Sequence, residues 1–217
     1  MMIEVMLVDD HEVVRQGIKS IISKEGDINI VAEASDGYEA IRLAKAKSPD
    51  VVVMDITLPS LNGLDVSQQI LKQNPGIKVL VLSMHENRVF VERALSYGVK
   101  GYILKDSVAD EIVHAIREVY AGRFFLSVKI SSFVIQDYVT RKKKDGMKIR
   151  SASILTARER EILQLIAEGL HNKEIAEKLK LSLKTVMVHR NNIMQKLGIH
   201  NQAQLIRFAL KEGIVSL

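Results

Sequence analysis

Five polar residues of this chain stand where short apolar runs end: Asp9 and Asp10, Asp55, Ser83 and Lys105. Three carboxylates that converge on one crevice repel each other unless a cation joins them, and such hard oxygen ligands suit Mg2+. A lysine opposite them can hold one oxygen of a transferred phosphoryl group, and a hydroxyl can hold another. A carboxylate at the centre of the group, the place of Asp55, can act as a nucleophile and form an aspartyl phosphate. Asp and Ser also end strands as plain turn formers. One such residue would mean little, but five at successive strand ends favour a chemical site.

The elements that position them follow from the apolar pattern. Residues 3–8, 28–34, 51–54, 78–82 and 101–104 read as strands. Residues 13–23, 38–47, 63–72, 87–96 and 108–120 repeat apolar residues at helical spacing. Strands this apolar, each followed by a helix, are buried on both faces of a parallel sheet. Five βα units predict a doubly wound α/β domain, with ligands bound at the carboxyl ends of the strands.

Composition narrows the class. The chain has 217 residues, no cysteine and an apolar fraction of 47%. That excludes a disulfide scaffold, a thiol nucleophile and a sulfur-based zinc site. The first residues do not read as a secretory signal, and no apolar run approaches the roughly 20 residues of a membrane span. A cytoplasmic protein with no membrane partner is expected. The charge is uneven. Residues 1–125 carry 14 basic and 18 acidic side chains, and residues 126–217 carry 17 and 8, so a net +5 divides into −4 and +9. An acidic half joined to a strongly basic one suggests two domains, one of which meets a polyanion.

A connector at 123–152 separates the halves. Residues 128–139 have the spacing of a short amphipathic helix, and 140–150, TRKKKDGMKIR, read as a solvated linker or a supplementary phosphate contact. Beyond it, Thr156 with Glu159 forms a capping-box sequence for a helix over 157–168. Asn172 is read as the cap of a helix over 173–179, and Ser182 as the cap of a longer one over 183–197 that ends at Gly198. A short helix, a tight turn and a longer helix is a helix-turn-helix pattern. A fourth helix is expected over 202–211. This half shows no nucleophile–base pair and no metal-ligand cluster, so no separate enzyme site is expected there.

The residues quoted for the first half closely resemble the receiver domain of two-component response regulators, over about 1–122. The resemblance implies a five-stranded sheet of order 2-1-3-4-5. It implies that Asp55 is the phosphoacceptor, supplied by the phosphohistidine of a sensor histidine kinase. It implies that Asp10, Asp55 and the backbone carbonyl of Thr57 bind Mg2+, with Asp9 acting mainly through water. Lys105 matches the family's lysine, Ser83 its hydroxyl switch residue and Tyr102 its aromatic switch. Pro59 and Gly63 match the turn after the phosphoacceptor. Asn87, Arg88 and Phe90 follow the hydroxyl switch as candidate reporters.

Residues 153–217, with LTAREREILQLIAEGLHNKEIAEKL followed by LSLKTVMVHRNNIMQKLGI, resemble the LuxR-type DNA-binding domain of the NarL/FixJ subfamily. The resemblance implies that the longer helix enters the major groove of double-stranded DNA. Lys184 and Val188 are expected nearest base edges, and Thr185, His189, Arg190 and Asn192 in or near the same contact. Lys173 is expected on a phosphate. Two positions depart from the family: Met187 stands where lysine is common, and Gln202 where a basic residue is frequent. The whole implies a phosphorylation-controlled transcriptional regulator, a homodimer on DNA, with RNA polymerase as a further expected partner. The alternative is a DNA-binding regulator whose receiver acts independently of phosphorylation.

Overall fold

The structure, a computed structural model, describes residues 2–84, 86, 88–132, 134, 154–199 and 201–215. It divides into an N-terminal and a C-terminal compact unit.

In the N-terminal unit strands alternate with helices: β1 (Ile3–Val8), α1 (Glu12–Ile22), β2 (Ile28–Ala34), α2 (Gly37–Lys47), β3 (Val51–Asp55), α3 (Gly63–Gln73), β4 (Lys78–Ser83), α4 (Arg88–Ser96), β5 (Gly101–Leu104) and α5 (Val108–Tyr120). The strands pair in parallel, in the order β2-β1-β3-β4-β5 that the family resemblance implies. A sixth strand, β6 (Phe125–Leu126), extends the edge beside β5. Residues 125 and 126 were read as part of the connector. Two residues are too few to show a strand period.

Side chains alternate across the sheet because the strand period is two. Ile3, Val5, Leu7, Val51, Val53, Leu80, Leu82 and Ile103 pack on α1 and α5 through Ile18, Ile22, Ile112 and Ile116. Met6, Val8, Val52, Met54, Val79, Val81, Tyr102 and Leu104 pack on α2, α3 and α4 through Ala40, Leu64, Ile70 and Val91. Each such buried aliphatic side chain contributes about 1.5–3 kcal/mol. The polar ends of the strands are thereby held by a core closed on both faces.

The C-terminal unit holds four helices, α6 (Ala157–Ala167), α7 (Asn172–Lys178), α8 (Leu183–Leu197) and α9 (Gln202–Lys211), among the described residues. Ile162, Leu163, Ile166, Ile175, Val186, Ile193 and Leu205 make its core. The Thr156 hydroxyl accepts from the Glu159 amide at 3.2 Å, and the Glu159 carboxylate accepts from the Thr156 amide at 2.8 Å. Ser182 caps α8 through the Thr185 amide at 3.0 Å, and Gly198 ends it in the left-handed conformation. One cap differs from expectation. His171 precedes α7, Asn172 is its first residue, and the Glu174 carboxylate accepts from the His171 amide at 2.6 Å.

Candidate functional site

The in-register pairing of β1, β3, β4 and β5 brings their polar ends together. Val8 lies opposite Met54, Asp55 opposite Leu82, and Ser83 opposite Leu104. Asp9 follows β1, Asp55 ends β3, Ser83 ends β4, and Lys105 opens a single 3-10 turn after β5. Asp9 and Asp55 are each 1% exposed. The Lys105 ammonium lies between them, 2.7 Å from Asp9 Oδ2 and 2.8 Å from Asp55 Oδ2. The other Asp55 oxygen, Oδ1, accepts from the Thr57 amide at 3.1 Å.

Burial pushes the Asp55 carboxyl above the usual carboxylate range. Lys105 and the Thr57 amide pull the other way, while Asp9 adds repulsion. Burial by itself would lower the Lys105 ammonium, but the Asp55 and Asp9 carboxylates outweigh it and raise it. The site is therefore a partly dehydrated charge cluster in which one lysine offsets two carboxylates.

Gly63 sets the floor of the site. A Cβ there would run into the backbone carbonyl of Asp55. Without a side chain, the Gly63 amide reaches the Ile56 carbonyl at 2.9 Å, and Asn62 caps α3 through the Leu64 amide at 2.9 Å. The turn after Asp55 can close only over a glycine.

His11 belongs to the cluster although sequence reasoning passed over it. Its Nδ1 lies 2.8 Å from Asp10 Oδ1 and 3.3 Å from Asp9 Oδ1. One ligand atom each from Asp9, Asp10, His11 and Asp55 falls within 4.8 Å of the others. Its signal was adjacency to the Asp9-Asp10 pair. The carboxylate donors of this acidic cluster are compatible with Mg2+.

Ser83 is fully buried and Tyr102 is 1% exposed. Their side chains are hydrogen-bonded, while burial drives the Tyr102 phenol far above its ordinary range. Phe90 is buried in the same cluster as Tyr102. Arg88 opens α4, and Asn87 lies outside the described residues.

In the C-terminal unit, Lys184, Val188 and Asn192 are exposed and share one face of α8 with Met187 and Asn191. Asn191 was not singled out from the sequence. Its place one repeat from Lys184, at i+7, was the available signal. The Thr185 hydroxyl is engaged with Ser182 Oγ at 2.8 Å, and His189 is half-buried. Arg190 is turned inward between elements. Its guanidinium donates to Asn172 Oδ1 at 3.3 Å and to Gln202 Oε1 at 2.9 Å. Lys173 is exposed in the first turn of α7.

Comparison with known proteins agrees with this division. Residues 5–117 match the response regulator receiver domain, and residues 153–209 match the bacterial regulatory proteins of the luxR family. The oxygen regulatory protein NreC of Staphylococcus aureus is 37% identical over 98% of this chain and 99% of its own. The transcriptional regulatory protein DegU of Brevibacillus brevis is 34% identical over 99% of this chain and 96% of its own. Among solved structures, the two-component response regulator RcsB in complex with DNA superposes with a TM-score of 0.61 at 25% identity, over 98% of this chain and 99% of RcsB. The chain belongs to the two-component response regulators of the NarL/FixJ type: it is a phosphorylation-regulated, DNA-binding transcriptional regulator in which a receiver that catalyses its own phosphoryl transfer and dephosphorylation is followed by a LuxR-type helix-turn-helix domain.

Proposed function

We propose that Asp55 is the phosphoacceptor. An Asp55 carboxylate oxygen forms the new bond to phosphorus as the P–N bond of a sensor kinase phosphohistidine breaks. The imidazole leaves with the electron pair and takes a proton from water. Asp10, Asp55 and the Thr57 carbonyl would hold Mg2+, with Asp9 acting through water. Bound there, the ion would offset charge on the phosphoryl oxygens. The observation that carries the assignment is the Lys105 ammonium held between Asp9 and Asp55 at 2.7 and 2.8 Å. That lysine can leave Asp55 for a phosphoryl oxygen while it keeps Asp9.

Ser83 then turns from Tyr102 toward the phosphoryl group, and the aromatic ring responds. Output passes through the helix-turn-helix domain of residues 153–217, with the receiver at 1–122 and a linker at 123–152. Lys184 and Val188 face base edges, Thr185, His189 and Asn192 lie at the same surface, Arg190 supports it, and Lys173 meets phosphate. The protein acts in the cytoplasm as a homodimer on double-stranded DNA, a reading supported by the likeness to RcsB, which is solved with DNA and as dimers bound to two DNAs. RNA polymerase is the further partner of a regulator so placed.

Incubation with acetyl phosphate and Mg2+ adds one phosphoryl group to the wild-type protein, read by intact mass. Asp55→Ala abolishes it. Labelling that persists in this variant refutes the assignment.

A further inference from the structure

The stretch immediately after α5 is fastened to the switch region at three separate points. First, β6 lies along β5, with Leu126 opposite Tyr102, and the Ser127 amide donates to the Tyr102 carbonyl at 3.0 Å. Second, the Lys129 ammonium joins two loops at once, 3.3 Å from Glu86 after β4 and 3.0 Å from Asp106 after β5. Glu86 follows Ser83 by three residues, and Asp106 is next to Lys105. Third, Ile130 is fully buried in the apolar cluster that contains Tyr102 and Phe90.

These fastenings differ in kind. Ile130 anchors by burial. The Lys129 pairs are exposed on both sides, and pairs of that sort contribute little to stability and are easily exchanged. A permanent apolar anchor beside an exchangeable ionic one is suited to sensing small shifts in the two loops. The covalent chain then continues through residues 135–153 to the DNA-binding unit.

We propose that residues 125–132 are a strap that reads the state of the phosphoacceptor site through Tyr102, Glu86 and Asp106, and that passes it along the chain toward the DNA-binding domain, with Lys129 as its exchangeable clasp. The proposal rests on Asp55 being the phosphoacceptor. When Lys105 and Ser83 turn to a phosphoryl group, the turn that carries Asp106 and the loop that carries Glu86 move with them. Lys129 then loses the spacing that lets it bridge both carboxylates.

The test uses the full chain and a DNA duplex selected from a random-sequence library by the phosphorylated protein. Hydrogen–deuterium exchange is followed at the amides of residues 125–132 in the wild-type protein, with and without acetyl phosphate and Mg2+. Exchange at Phe125 and Ser127, whose amides bond to the Lys100 and Tyr102 carbonyls, is expected to change on phosphorylation. In parallel, Lys129→Glu places a carboxylate against Glu86 and Asp106. It is expected to keep phosphorylation of Asp55, while the ratio of DNA affinities with and without phosphate falls about fivefold or more toward unity, within the usual range of allosteric coupling. Unchanged exchange across 125–132 in phosphorylated wild type overturns the strap. So does an unchanged affinity ratio in K129E. Loss of phosphorylation in K129E also overturns it, since the segment would then support the acceptor instead of reading it. Failure of the wild-type protein to accept a phosphoryl group at all refutes the acceptor assignment, which is a separate result.

Discussion

Asp55 holds a charge where the fold disfavours one. Its carboxyl is raised by burial, so the native state binds a proton at Asp55 more readily than the unfolded chain, whose carboxyl titrates at the ordinary 3.8. Stability from this group is complete below that value and is lost as pH rises through the raised one. Asp55→Asn removes that loss and leaves Lys105 its pair with Asp9 at 2.7 Å. The variant is therefore expected to melt above wild type at neutral pH, with the difference shrinking as pH is lowered toward about 4. Thermal midpoints across that range check it, and a variant that melts lower at pH 7 refutes the electrostatic argument. The residues of this site were legible in the sequence because each ends an apolar run, and the run itself fixes where its last residue points. Ser83 and Tyr102 were legible as types and positions. Their mutual hydrogen bond was not, because it crosses between β4 and β5. Arg190 shows the same limit. Its place on α8 was readable, but its inward turn depends on Asn172 and Gln202, which other helices supply.

At the scale of elements, α3 and α4 are tied by a buried ion pair that no local pattern announces. The Arg93 guanidinium donates to Asp65 at 2.7 Å, both side chains are 6% exposed, and Arg93 Nε also meets the Tyr97 hydroxyl at 3.1 Å. The partners are 28 residues apart on different helices, so only the packed fold reveals them. Asp65→Ala would strand a buried guanidinium and is expected to cost about 3–5 kcal/mol. Asp65→Leu combined with Arg93→Met replaces the pair by apolar volume and is expected to restore most of that loss. Urea unfolding of the three proteins decides it. Equal destabilisation by the single and double variants would mean that the pair's charges are not what matters. Gly63 is a second element-level constraint. Gly63→Ala would push α3 off the end of β3, and a cost of about 1–3 kcal/mol is expected from the overpacking, with slower phosphorylation of Asp55 as its companion. Here the sequence was informative, since a glycine after the acceptor turn was readable, whereas β6 was not. Its two residues pair only because Gly101 and Tyr102 offer a free edge.

For the whole molecule, the division of charge into −4 and +9 separates a site that must tolerate clustered carboxylates from a surface that must meet a polyanion. Binding that neutralises phosphates releases counterions, so affinity falls linearly with the logarithm of salt concentration. Two of the lysines exposed on the C-terminal unit, Lys173 and Lys184, should then behave differently. Lys173 lies in the first turn of α7, off the exposed face of α8. If it meets only phosphate, Lys173→Ala weakens binding to specific and unrelated duplexes alike and reduces the salt slope by about 1. Lys184 lies one turn from Val188 on the exposed face of α8. If it meets a base edge, Lys184→Ala costs about 1–3 kcal/mol on the preferred duplex and much less on an unrelated one, so selectivity falls with affinity. Titration of both variants at several salt concentrations separates the two contributions. A Lys184→Ala protein that loses affinity equally for every duplex would move that residue from the bases to the backbone. The recognition face would then rest on Val188, Asn191 and Asn192, with Met187 offering an apolar contact beside them.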